Sequence, residues 1–194
     1  MTILSPLLLA SHNKGKLKEL KALLPKTIKI LSASDFSEEQ PEEYGSTFYE
    51  NAAIKATFWR DKTGIASLAD DAGICIEALE GKPGVYSKEF LTSYKNYESA
   101  FKQLSENRAI QLNPKAYCVC VLVLALPGGE IKFYEGNCHG VLVFPPRGTQ
   151  GHGYDPIFKP DSSNYTYAEM TLEEKNLHSH RSKAFQFFLK DNFL

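Results

Sequence analysis

The feature that most constrains this chain is a paired apolar segment in its second half. KAYCVCVLVLAL at 115–126 is followed by PGG and then by EIKFYEGNCHGVLVF at 130–144. The first run has the length of a buried strand, and Pro127-Gly128-Gly129 is a turn signal, so the pair predicts a β-hairpin. Strands and helices interleave around it. PLLLAS at 6–11 and TIKIL at 27–31 read as short strands, and Leu17, Leu20, Leu23 and Leu24 recur at helical spacing until Pro25. Thr47 and Glu50 have capping-box spacing and predict a helix running to about Lys62. IASLAD at 65–70 and GICIEA at 73–78 read as strands, GKPGVYS at 81–87 as a turn and exposed loop, and 93–107 as weakly helical. A second capping box, Thr171 and Glu174, opens the C-terminal helical stretch. The pattern is that of one mixed-sheet α/β domain spanning 1–194.

Composition excludes several classes of function. Lys plus Arg is 22 against 23 for Asp plus Glu, a net charge of −1, so the basic excess of a nucleic-acid surface is absent. No stretch approaches the roughly 18 apolar residues of a membrane span. In MTILSPLLLASHNKGK the positive charges follow the apolar run, the reverse of a secretory leader, and the expected location is the cytoplasm. The expectation is therefore no nucleic-acid partner and no membrane. The four cysteines, Cys75, Cys118, Cys120 and Cys138, lack zinc-ribbon or thioredoxin spacing and read as reduced core residues.

Three polar clusters stand out. SHNKGK, Ser11, His12, Asn13, Lys14, Gly15 and Lys16, lies where a strand gives way to a helix. A helix N-terminus with lysines beside it attracts phosphate; the plainer alternative is an Asn cap with two solvated lysines. The second cluster is acidic: Glu43, Glu50, Asp70 and Asp71. Such hard oxygen ligands suit Mg²⁺ bridging to phosphates, although Glu50 is also needed by the Thr47 cap. Adjacent side chains of a strand point to opposite faces, so Asp70 and Asp71 should have different partners; a turn-capping pair is the alternative. Lys55, on one helix face with Asn51, is a candidate counter-charge. The third cluster joins GHGYDPIF at 151–158 with EEKNLHSHR at 173–181. Its glycines permit close backbone approach, His152 and Tyr154 offer flat rings for a base, and Asp155 either accepts from a ring or anchors its own loop. Lys175 and Ser179 lie one helical turn apart, with His180 and Arg181 following; the alternative is a solvated helix face. His178 and His180 lack the spacing of a zinc pair. A phosphate seat, a metal seat and a flat-ring seat together fit a nucleotide.

LLLASHNKGKLKEL, GSTFYENAAIKA, LADDAGICIEALEGKPGVYS, EGNCHGVLVFPPRGTQGHGYDPIF and YAEMTLEEKNLHSHRSKA, in this order, resemble the inosine/xanthosine triphosphate pyrophosphatase family, the Ham1-like house-cleaning enzymes. The resemblance implies a long, twisted mixed β-sheet flanked by helices, two lobes with a central substrate cleft, and a cytoplasmic homodimer. It also implies Mg²⁺-dependent hydrolysis of ITP, dITP and XTP to monophosphate and pyrophosphate. Carried onto this sequence, Ser11 to Lys16 and Lys55 match phosphate-contacting positions. Glu43 and Asp71 match metal-site carboxylates, with Asp70 an alternative ligand and Asp71 also the general base. Ala72, His152, Gly153, Tyr154, Asp155, Lys175, His180 and Arg181 match substrate-binding positions. Two residues depart from the family pattern: His152 stands where Phe is usual and Ala72 where Ser is common. Arg181 and backbone N–H groups are the expected donors to a purine O6. A Maf-like pyrophosphatase and a catalytically silent nucleotide-binding module are the rival readings.

Overall fold

The structure, a computed structural model, describes residues 5–193; residues 1–4 of the N-terminal segment lie outside the described residues. Six strands form one mixed sheet flanked by helices, in the order β2-β1-β3-β4-β5-β6. The strands are β1 (Leu7–Leu9), β2 (Ile30–Ser32), β3 (Ser67–Ile76), β4 (Lys115–Ala125), β5 (Ile131–Leu142) and β6 (Phe158–Pro160). The helices are α1 (Lys14–Leu23), α2 (Phe48–Thr63), α3 (Ser87–Thr92), α4 (Tyr97–Glu106), α5 (Arg108–Leu112), α6 (Leu172–His178) and α7 (His180–Phe193). β1 pairs in parallel with both β2 and β3, while β5 and β6 are antiparallel. The hydrogen bonds Leu126 N to Glu130 O and Leu142 N to Pro114 O hold the expected hairpin in one register along its length.

Local chemistry explains the element ends. Asn13 Oδ1 accepts from the N–H groups of Gly15 and Lys16 and starts α1. Both capping boxes form as the spacing predicts, Thr47 with Glu50 and Thr171 with Glu174. α2 stops at Gly64, whose φ of 69° suits the residue just past a helix end. Two expectations need correction. Within 81–87 the expected exposed loop is instead a 3₁₀ turn over Gly84–Tyr86, with Tyr86 exposed, and the short helix α3 begins at Ser87, with Ser87 and Leu91 buried. The two strands expected around Asp70 and Asp71 are one strand, with the aspartates in its middle. Turn capping therefore does not account for the pair.

The chain divides into two compact units. The first holds the residues up to Asp71, Cys120–Gly136 and those from Arg181 on. Leu7, Leu8, Leu9, Leu20, Trp59, Leu68, Phe185 and Phe188 are among its buried residues. The second holds Ala72–Val119 and Asn137–His180. Its core gathers Ile74, Ile76, Phe101, Ile157, Phe158 and Tyr167 with Cys118 and Cys138. None of the four cysteines is in a disulfide, and all are buried, as core residues should be.

Candidate active site

The first unit assembles the charged residues that the sequence singles out. β3 is buried over Ser67–Asp71, so both aspartates leave water on folding, which is costly without counter-charge. Alternation along the strand gives them separate partners. Asp71 Oδ1 accepts from Lys55 Nζ at 3.0 Å, and the same ammonium donates to Glu43 Oε2 at 2.5 Å. Asp70 Oδ2 accepts from Lys16 Nζ at 3.0 Å and from Arg181 Nη2 at 3.2 Å. Arg181 Nη1 donates to Glu19.

The electrostatic consequences differ between neighbours. For Asp71, burial is the larger influence and lifts its carboxyl above the usual range, against the pull of Lys55 and Lys16. For Asp70, burial is outweighed by Lys16 and Arg181 together, which hold the carboxyl well below its usual range. Burial opposes the Lys55 ammonium, yet Asp71 and Glu43 prevail and its pKa rises. Two adjacent carboxylates thus become one basic group and one fixed charge. Asp71 Oδ2 and Asp70 Oδ1 are buried and lack a hydrogen-bond partner. Asp71 Oδ2 and the Glu43 carboxylate, at 37% exposure, are oxygens of the hard type that Mg²⁺ takes, and the Lys55 ammonium is paired with both residues.

The segment Ser11 to Lys16 is largely self-satisfied. Ser11 Oγ accepts from Asn13 N, and Asn13 uses its side-chain oxygen for the α1 cap. His12 Nε2 bonds Ser37 O at 2.9 Å, with its ring 5.8 Å from that of Trp59. Lys14 is exposed and Gly15 half-buried. The Asn-cap alternative describes this segment well, while Lys16 reaches Asp70.

In the second unit Asp155 anchors its own loop. Its Oδ2 accepts from the backbone N–H of His152 at 2.8 Å and from Lys175 Nζ at 2.7 Å. Gly151 has φ +75°, and a Cβ there would lie 2.0 Å from Asp155 Oδ2, so only glycine permits this closure. Thr149 N and Gln150 N both donate to Ala168 O, which ties the loop to the turn at 167–169. Lys175 is 4% exposed, its ammonium 5.3 Å from the centre of the Tyr167 ring. Solvation therefore does not describe this helix face.

Several sequence expectations change here. Tyr154, expected as a flat seat for a base, lies in the core and donates to Ser87 O at 3.0 Å. The Nη atoms of Arg181, expected to meet a purine O6, serve Glu19 and Asp70. His152, Gly153 and Ala72 are half-buried, and buried His180 lies beside the Tyr167 ring at 6.2 Å. Glu19 is the charged residue that the sequence reading missed. It sits three positions after Lys16 on α1 and is buried, and that spacing on one helix face was the available signal.

The Ham1 family model matches residues 7–191. The chain belongs to the Ham1 family. The dITP/XTP pyrophosphatase of Gluconobacter oxydans is 43% identical over 186 residues, covering 95% of this chain and 89% of that protein. A dITP/XTP pyrophosphatase of Thermus thermophilus is 43% identical over 184 residues, covering 94% and 89%. Among solved structures, a HAM1 protein from Coxiella burnetii superposes with a TM-score of 0.83 at 36% identity, covering 96% of this chain and 98% of that one. The mixed sheet with flanking helices is thus the fold of the Ham1 family, and the Glu43–Lys55–Asp71 array belongs to a Ham1 protein.

Proposed function

We propose that this Ham1-family chain is a nucleoside triphosphate pyrophosphatase that hydrolyses deaminated purine nucleoside triphosphates, dITP, ITP and XTP, to the monophosphate and pyrophosphate. The relatives named for dITP and XTP support the substrate class. The observation that carries the chemistry is Asp71: buried, with one open oxygen, and made more basic by that burial. A carboxylate in this state suits a general base. It takes the proton of the attacking water as the water oxygen bonds the α-phosphorus. The bond from that phosphorus to the bridging oxygen breaks, and pyrophosphate leaves with its electron pair.

The lysines Lys16 and Lys55 neutralise the phosphates, because phosphoryl transfer depends chiefly on positioning and charge stabilisation. Glu43 and Asp71 would hold a Mg²⁺ ion, which when bound supplies further neutralisation of the triphosphate charge. Selecting a 6-keto purine requires donors toward O6, which an adenine amino group would leave unpaired. Arg181 is engaged by two carboxylates, and the N–H groups of Thr149, Gln150, His152 and Asp155 already donate within the chain, so the N–H groups of Gly151 and Gly153 are the donors proposed for O6. A cytoplasmic homodimer completes the proposal. It rests on the resemblance of the sequence motifs to the family; no described helix is long and apolar enough to cross a membrane.

The direct test is Asp71→Asn. Pyrophosphate release from XTP should fall by about 10²–10⁴-fold while thermal unfolding stays cooperative. Retained activity would remove Asp71 from the role of base.

A further inference from the structure

The reaction as proposed uses Lys16, Lys55, Glu43 and Asp71. It leaves unexplained a second array in the first unit, in which negative and positive groups alternate from Glu19 through Arg181 and Asp70 to Lys16. Three of its four side chains are nearly excluded from water, at 6% for Glu19, 3% for Arg181 and 1% for Asp70. Only Lys16 is more open, at 18%. Stability alone is a poor reason to bury so many charges, since apolar packing of the same volume is often as stable or more so. The members come from three separate elements, α1, β3 and α7. Of the four side chains, that of Lys16 is the most open to solvent.

We infer that Asp70 is a positioning residue that works through Lys16, with Arg181 and Glu19 holding Asp70 in turn. Asp70 Oδ2 is shared between Lys16 Nζ and Arg181 Nη2. Arg181 is itself pinned on the far side by Glu19. The Asp70 carboxylate can therefore neither rotate away nor exchange partners without leaving a buried guanidinium half-paired. Lys16 is a flexible four-carbon stem with a point charge. Tied at one side to a fixed carboxylate, it gives up less freedom when a phosphate arrives, which is a gain in preorganisation. The assignment also separates the two aspartates by role. Asp71 belongs to the Lys55 and Glu43 array, and Asp70 belongs to the lysine that meets phosphate. This inference rests on the reading of Lys16 as a phosphate ligand.

The experiment is a double-substitution cycle read by binding as well as turnover. Affinity for inorganic tripolyphosphate is measured by calorimetry without metal, and kcat and KM for XTP are measured with Mg²⁺. The proteins are wild type, Asp70→Asn, Lys16→Met and the double variant. Asp70→Asn should weaken tripolyphosphate binding by about tenfold and raise KM for XTP more than it lowers kcat. In the Lys16→Met background the same change should alter binding by less than about twofold, because interacting residues are non-additive. Mn²⁺ affinity should match wild type in Asp70→Asn. Losses that add in the double variant, or Mn²⁺ binding weakened by about fivefold, would overturn the inference. If Asp70→Asn does not fold, Glu19→Gln replaces it. Arg181 would then draw more on Asp70, and a smaller loss of tripolyphosphate affinity should appear and vanish in the Lys16→Met background. An equal loss in both backgrounds would refute it. Failure of the proposed activity would show separately, as absent XTP hydrolysis in wild type with the binding cycle intact.

Discussion

Replacing Lys55 with Met should reveal how firmly one ammonium holds this site together. Lys55 Nζ lies 3.0 Å from Asp71 Oδ1 and 2.5 Å from Glu43 Oε2. Without it, Glu43 at 37% exposure can turn to water, while Asp71 is only 10% exposed at its side chain and cannot. Removing one partner of a buried ion pair costs about 3–5 kcal/mol. Since part of the array is open to solvent, about 3 kcal/mol is the expected loss near neutral pH. For a chain of this size that is roughly 6–12 °C in Tm. The loss must depend on pH in a definite direction. The Asp71 carboxyl already titrates above its ordinary value of 3.8, and removing Lys55 raises it further. An acid with a raised folded-state pKa binds its proton preferentially in the folded chain. Its destabilising effect therefore grows as pH climbs from the ordinary value to the raised one, then stays constant. Urea unfolding of wild type and Lys55→Met at about pH 4.5 and about pH 7.5 should give a smaller difference at the lower pH. An equal difference at both, or a loss below about 0.5 kcal/mol at the higher pH, would refute the placement of Asp71 as a buried charge held by Lys55.

Other outcomes follow from the loop around Asp155. Gly151→Ala forces a Cβ to within 2.0 Å of the Asp155 carboxylate at a φ of +75°, so KM for XTP should rise and stability should fall by about 1–3 kcal/mol; an unaltered KM would show that the loop does not touch substrate. Lys175→Met strands a buried Asp155 carboxylate and should cost about 3 kcal/mol by urea unfolding, whereas a loss under about 1 kcal/mol would mean that the pair is not buried in solution. His152→Phe exchanges a ring that can hydrogen-bond for a larger one that can only stack, so KM for XTP should change, and an unchanged KM at about pH 6 and about pH 8 would remove His152 from the base site.

Local features of this fold were legible in the sequence because local chemistry decides them. The Thr47–Glu50 and Thr171–Glu174 caps need only a three-residue spacing, and the 115–144 hairpin needs only its own turn and apolar pattern. Asp70 and Asp71 were not legible as the middle of a strand. Two charges in an apolar run are tolerated only because Lys16, Lys55 and Arg181 arrive from elsewhere, Arg181 from 111 residues away. A still longer separation hid Glu19, whose partner lies 162 positions from it. The residues for substrate were named from their residue types and then by resemblance, and side-chain packing gives several of them other partners. Tyr154 fills the core, and Asp155 and Lys175 satisfy each other. Their residue types suited a base equally well, and the partner that each one meets is a property of the fold.

The most direct measurement of the proposed activity is pyrophosphate release from XTP, ITP, dITP, GTP and ATP, with and without Mg²⁺. Release from XTP, ITP and dITP should depend on Mg²⁺ and proceed at kcat/KM values about 10²-fold above that for ATP. Equal rates on ATP and ITP, or full rates in the presence of a chelator, would contradict it.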